Sequence, residues 1–124
     1  MAQKEKNRYR QMIGAWGEDL AAQFLINKGV KILQRNFRTR EGEIDLIALD
    51  GETLIFVEVK TRTNTEFGFP EEAVTDEKLD HLYEAAEEYL AEHLEYENWR
   101  VDVIAIEGKP DSDEPEFEWF QNAE

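Results

Sequence analysis

The four consecutive apolar residues Leu54-Ile55-Phe56-Val57, running into Glu58-Val59-Lys60, constrain this chain more than any other feature. A strand that alternates apolar and polar residues can lie half in water, but one that is apolar at every position needs cover on both faces. The run therefore predicts a central strand over Thr53–Lys60. The acid and the ammonium at its far end predict a cleft where that strand emerges. Upstream, Glu43–Leu49 is also rich in Ile and Leu, and Asp50-Gly51 between the two segments is a strong hairpin signal.

The hairpin decides where its acids point. A two-residue loop at Gly51-Glu52 puts Asp45 directly opposite Glu58, and one at Asp50-Gly51 makes them diagonal neighbours. Either way they share a face, with Cβ atoms ~5 Å apart if direct and ~7–8 Å if diagonal. Lys60 and Glu43 share that face too, because strand side chains alternate. A three-residue loop would send the two acids to opposite faces instead. Facing carboxylates repel, so something has to compensate. One answer is a divalent cation held by oxygen ligands and several waters, as Mg²⁺ prefers. The other is a salt bridge from Lys60 on a half-solvated sheet edge.

Around this hairpin the chain reads as helix, three strands, helix, strand. Ile13, Trp16, Leu20, Phe24 and Leu25 fit one face of a helix from about Arg10 to Lys28, stopped by Gly29. A short strand is predicted over Val30–Gln34, with its exposed end and a turn at Asn36–Gly42. Residues 61–74, with Gly68 and Pro70, read as a loop. Thr75 caps a second helix, acidic in its first turn, that buries Leu79, Leu82, Ala86, Tyr89, Leu90 and Leu94 and leaves Glu84, Glu87, Glu88 and Glu92 wet. Arg100–Ile106 alternates as a strand, and Phe117–Phe120 reads as a last edge strand or an ordered tail. A mixed sheet with helices packed on it follows.

At 124 residues the chain fits about one domain, its core at about 10–106 and an acidic tail at about 107–124. It has no cysteine, hence no disulfide and no thiolate metal site. The basic start lacks the apolar stretch of a secretory signal, and no apolar run is long enough to span a membrane, so a soluble, cytoplasmic protein is expected. The net charge of −15 is unevenly placed. Residues 1–64 carry 11 Lys/Arg against 9 Asp/Glu, and residues 65–124 carry 3 against 20. Two explanations stand for the acidic half. A salt-adapted source is one, since the Debye length falls to ~3 Å at 1 M. A docking face for a basic protein partner is the other.

The ordered strings along the chain resemble a known family. Gly14-x-x-Gly17-Glu18 lies on the first helix, then come Asn36-Phe37-Arg38, Gly42-Glu43-Ile44-Asp45-Leu46-Ile47 and Phe56-Val57-Glu58-Val59-Lys60-Thr61-Arg62. Phe67-Gly68-x-Pro70, Ala73-Val74-Thr75-x-x-Lys78 and Arg100-x-Asp102-Val103 follow. Asp45 with Glu58-Val59-Lys60 is similar to the PD-(D/E)XK nuclease signature, with Ile44 in place of its proline. The whole set resembles the YraN-like family of small restriction-endonuclease-like proteins. The resemblance implies an αβββαβ core with a mixed sheet flanked by helices. It also implies Mg²⁺ or Mn²⁺ on Asp45 and Glu58, Lys60 on the attacking water, and Glu18 completing the site.

The expectation is thus a metal-dependent, nuclease-like protein acting on or binding DNA or RNA. Arg38, Arg40, Arg62 and Lys78 are the expected phosphate contacts, being the basic residues nearest the acids. Lys78 stands out because a cation at a helix start opposes the helix dipole. A non-catalytic nucleic-acid-binding module and a protein-interaction domain using the acidic face are the alternatives. His81 and His93 are not spaced as a metal pair, and Trp16, Trp99 and Trp119 read as packing residues.

Overall fold

The computed structural model describes residues 2–62, 75–110 and 114–123. The predicted loop with Gly68 and Pro70, and the strings Phe67–Pro70 and Ala73-Val74, lie outside the described residues. The elements run α1 (Ala2–Asn27), β1 (Lys31–Arg38), β2 (Glu43–Asp50), β3 (Thr53–Arg62), α2 (Asp76–Ala91), β4 (Asn98–Glu107) and β5 (Glu116–Phe120). The sheet order follows the chain, β1-β2-β3-β4-β5. Every neighbouring pair is antiparallel except β3 and β4, which are parallel and joined through α2. This mixed sheet flanked by two helices is consistent with a restriction-endonuclease-like α/β fold, and β3 holds its centre as the apolar run requires.

Alternation along β3 divides the core in two. Ile55 and Val57 pack with Ala21, Ala22 and Leu25 of α1, while Leu54 and Phe56 pack with Leu79, Leu82, Ala86 and Tyr89 of α2. Each helix thus covers one face. Thr75 caps α2 by accepting the Lys78 N–H on its side chain. Gly29, at φ +87°, ends α1 in a left-handed turn, and the N–H groups of Gly29 and Val30 return to the carbonyls of Ile26 and Leu25.

Several expectations need correction. Helix α1 begins at Ala2 rather than near Arg10, and its buried stripe is Ile13, Gly17, Ala21 and Leu25. Trp16, Leu20 and Phe24 are only partly covered. The middle of the stripe is small where α1 lies close on the sheet: a Cβ on Gly17 would sit 2.0 Å from Thr61 Oγ1 on β3. Strand β1 continues to Arg38 through an irregularity between Ile32 and Gln34. Leu94 falls beyond the end of α2 and is 83% exposed. Residues 116–120 form an edge strand on β4, so that part of the acidic C-terminal segment belongs to the sheet.

Among the described residues one charged side chain is fully buried in the core. Asp102, on the side of β4 that carries Ile104 and Ile106, is 0% exposed. Arg100 Nε donates to both its oxygens at 3.0 and 3.1 Å, Trp119 Nε1 of β5 donates at 2.9 Å, and the Asn122 N–H donates at 2.9 Å. Arg100 also reaches Asp50 Oδ2 at 3.2 Å, beside the β2–β3 turn. A buried carboxylate is tolerable here because its acceptor capacity is met by a cation and two further donors.

Candidate active site

The site lies where β2 and β3 part company. Their ladder pairs Asp50 with Thr53 at the turn and continues to Leu46 opposite Val57. This register is the one that places Asp45 opposite Glu58 at the next step. Strand β3 meanwhile stays paired with β4 through Arg62. Beyond Val57, then, β3 lacks a β2 ladder partner on one side, and the Asp45 side chain takes over: its Oδ2 accepts the Val59 N–H at 2.8 Å. The strand end is thereby satisfied, and the gap becomes a cleft.

A cavity of ≈ 540 Å³ opens there, walled by Asp45, Glu58 and Lys60 from the strands and by Glu18 and Arg10 from α1. A second cavity of ≈ 310 Å³, toward α2, shares Asp45 and Glu58 and adds Glu43, Lys78 and His81. Sequence alternation anticipated Glu43, Asp45, Glu58 and Lys60 on one side, and the structure brings these four to the same cleft system. Glu18 reaches it because Gly17 lets α1 lie against Thr61.

Electrostatically the site is overloaded with negative charge. Burial, chiefly, and the charges of Glu58, Glu18 and Glu43 push the Asp45 carboxyl up to about 8, against the Val59 hydrogen bond, which lowers it. Burial also raises Glu18, helped by Glu43 and opposed by Asn36. Lys60 is lowered, first by burial and then by its contact with Lys78, while Glu58 and Asp45 pull the other way. Lys78 Nζ lies 3.5 Å from Glu58 Oε1. The cation that looked misplaced at the start of α2 is therefore aimed at the site's own acid.

Asn36 is a participant that residue patterning missed. It sits in β1 at φ +53°, a left-handed conformation that asparagine adopts more readily than most residues. With its amide nitrogen turned toward the acids, the orientation their acceptor oxygens require, it donates to Glu43 Oε1 at 2.6 Å and to Glu18 Oε1 at 3.1 Å. It thus ties α1 to the sheet between two carboxylates. The signal available in the sequence was an asparagine inside a predicted strand-end string, Asn36-Phe37-Arg38.

The expected basic contacts divide. Lys78 stands within the cleft system. Arg38 lies 3.8 Å from Glu43 with its side chain largely exposed, and Arg40 is exposed in the β1–β2 turn. Arg62 is half-buried at the end of β3, where its carbonyl accepts the Gly108 N–H. Glu84, Glu87, Glu88 and Glu92 point to solvent from α2. Trp99 and Trp119 pack against the two cores, as expected of packing residues. No helix among the described residues is long and apolar enough to cross a membrane.

The donors are carboxylate oxygens, the chemistry of a hard divalent cation. Among the described residues no three His, Asp or Glu side chains close on a point as a protein cage would require. What Asp45 and Glu58 fit is a two-carboxylate, water-rich site of the kind Mg²⁺ accepts. Fold and cleft together define a small α/β protein of restriction-endonuclease-like build with an acid–lysine centre at the open end of its middle strands.

Comparison with known proteins supplies the family. The model of the "Uncharacterised protein family UPF0102" matches residues 17–106. A UPF0102 protein of Syntrophotalea carbinolica is 47% identical over 115 residues, covering 92% of each chain. Another, from Syntrophomonas wolfei subsp. wolfei, is 58% identical over 78 residues, 63% of this chain and 68% of that one. A third, from Beutenbergia cavernae, is 48% identical over 100 residues, 80% of this chain and 85% of its own. The chain belongs to the UPF0102 family, the YraN-like group that its motifs resemble.

Proposed function

We propose that this chain is a metal-dependent, nuclease-like protein that hydrolyses phosphodiester bonds in nucleic acid. One observation carries the proposal: Asp45 is held opposite Glu58, pushed up to about 8 by burial and by three neighbouring acids, in a cleft that also contains a lysine of lowered basicity. Such a centre is short of positive charge. Mg²⁺ or Mn²⁺ on Asp45 and Glu58 would supply it, polarising a phosphate and lowering the pKa of a bound water.

The chain's own residues have separable roles in this account. Lys60, half-buried and lowered by burial and by Lys78, holds the attacking water and offsets the charge that develops around it. Glu18 positions water from the α1 side, steadied by Asn36. Lys78 offsets the charge of Glu58. Arg38, Arg40 and Arg62 meet phosphates on the approach, because the first half of the chain is the only one that is not strongly acidic. One second reading is a module that binds nucleic acid without cutting it, for which the exposed Arg38 and Arg40 at the β1–β2 turn would suffice.

Incubation of labelled single- and double-stranded DNA and RNA with the protein, in Mg²⁺, Mn²⁺ or EDTA, tests the proposal. Cleavage is expected only with a divalent ion, and Asp45→Asn and Lys60→Met should each lower the rate at least ~100-fold. The double change Arg38→Glu, Arg40→Glu should abolish binding with little change in melting temperature. Cleavage that persists in Asp45→Asn would overturn the proposal. Binding without cleavage of any substrate would replace it with the second reading.

A further inference from the structure

Helix α1 contains two glycines near the cleft, and only one has a packing reason. Gly17 is forced by Thr61, whereas among the described residues a Cβ built on Gly14 meets nothing within 4 Å. Glycine is among the poorest residues for a helix interior, so Gly14 weakens α1 with no packing return among the described residues. It does line the ≈ 540 Å³ cleft. On that helix Arg10, Gly14 and Glu18 recur at four-residue spacing and form one row along the cleft wall, with Arg10 about 12 Å from Glu18 along the axis. Among the described residues Arg10 has no ion pair.

Tyr9 belongs to the same wall. It lies one turn beyond Ile13 on the line of Gly17 and Ile13, where that line passes from buried to exposed. The ring is 48% exposed and lines the cleft. A half-covered aromatic beside a free guanidinium and a bare stretch of helix backbone matches what an unpaired nucleotide needs: a face to stack on, a cation for its phosphate and room for close approach. The cleft's volume is that of a pocket for a few nucleotide-sized groups.

We propose that Tyr9, Arg10 and Gly14 form a subsite that leads a single-stranded segment of nucleic acid to the Asp45–Glu58–Lys60 centre. The inference deepens the proposed function and rests on it for the identity of the ligand. Tyr9 stacks an unpaired base, Arg10 contacts a phosphate, and the missing side chain of Gly14 lets the sugar–phosphate chain pass against the helix toward Glu18.

The test is fluorescence-anisotropy binding of a labelled single-stranded oligonucleotide, and of the matching duplex, to wild type, Gly14→Ala, Tyr9→Ala, Tyr9→Phe and Arg10→Ala, in EDTA so that no cleavage occurs. Melting temperatures and Mg²⁺-dependent cleavage are measured in parallel. Gly14→Ala should melt a few degrees higher than wild type yet bind the single strand about tenfold more weakly. Tyr9→Ala should lose about tenfold and Tyr9→Phe almost nothing, since stacking needs the ring and not the hydroxyl. Arg10→Ala should make the slope of log affinity against log salt shallower by roughly 0.7. Duplex should bind more weakly than single strand. Equal binding by Gly14→Ala and wild type, or a preference for duplex, overturns the subsite even where cleavage by wild type upholds the proposed function. Single-strand binding that depends on Tyr9 and Gly14 without any cleavage upholds the subsite and overturns hydrolysis. A wild type that binds no oligonucleotide overturns both.

Discussion

Asp45→Asn should melt about 10 °C higher than wild type at pH 8, with the difference disappearing near pH 4. The cause is the Asp45 carboxyl, which burial and the charges of Glu58, Glu18 and Glu43 push from its ordinary 3.8 to about 8. A carboxyl raised in the folded chain keeps its proton there after the unfolded chain has lost its own. Between about pH 4 and pH 8 the folded state therefore binds more protons, and stability falls as pH rises. A shift of this size corresponds to roughly 6 kcal/mol given up across that window, of which relief of about half suffices for ~10 °C in a chain this long. Asparagine removes the charge, and its side-chain oxygen can still accept the Val59 N–H that closes the strand end. Thermal melts of both proteins from pH 4 to pH 9 check this. A variant that is less stable at pH 8 would mean that Asp45 is kept for structure rather than for a charge-hungry site.

Asp102→Ala should have an effect of similar size and opposite sign. Its carboxylate is fully buried and receives Arg100, Trp119 Nε1 and the Asn122 N–H. Truncation leaves Trp119 Nε1 and the Asn122 N–H without their acceptor and Arg100 with Asp50 alone, a loss of about 3 kcal/mol. The damage should reach the cleft, because Arg100 also holds Asp50 next to the turn that sets the β2–β3 register. Denaturant unfolding followed by far-ultraviolet circular dichroism measures the loss. Asp102→Asn, which keeps one acceptor oxygen, should cost less than the alanine variant. A change below 1 kcal/mol for alanine would show that the buried network is dispensable.

Much of the sheet was legible because local chemistry and tertiary environment agreed. An unbroken apolar run points to a central strand, and a Gly-containing turn closes a hairpin in only a few registers, so residues 43–60 foretold β2, β3 and a shared face for Asp45 and Glu58, while the choice between direct and diagonal placement needed the observed ladder. Thr75 capped where a hydroxyl before two acids should cap. Legibility failed where a residue's reason for being there lies elsewhere in space. Residues 2–8 hold no large apolar residue, so periodicity had nothing there with which to extend α1. The small residues of α1 are explained by Thr61 on another element. Asp102 occupies a position that alternation alone leaves ambiguous, and only β5 and the C-terminal segment make its burial possible. Asn36 needed its backbone angle to be seen as a link between two acids.

Calorimetric titration of Mg²⁺ into wild type and Asp45→Asn at pH 7, in two buffers of different ionisation enthalpy, tests the central claim most directly. A carboxyl pushed up to about 8 still carries its proton at pH 7 and must release it to hold a cation. The account predicts one Mg²⁺ per wild-type chain, release of close to one proton per ion, and no binding to Asp45→Asn. Identical isotherms for the two proteins, or binding without proton release, would contradict it.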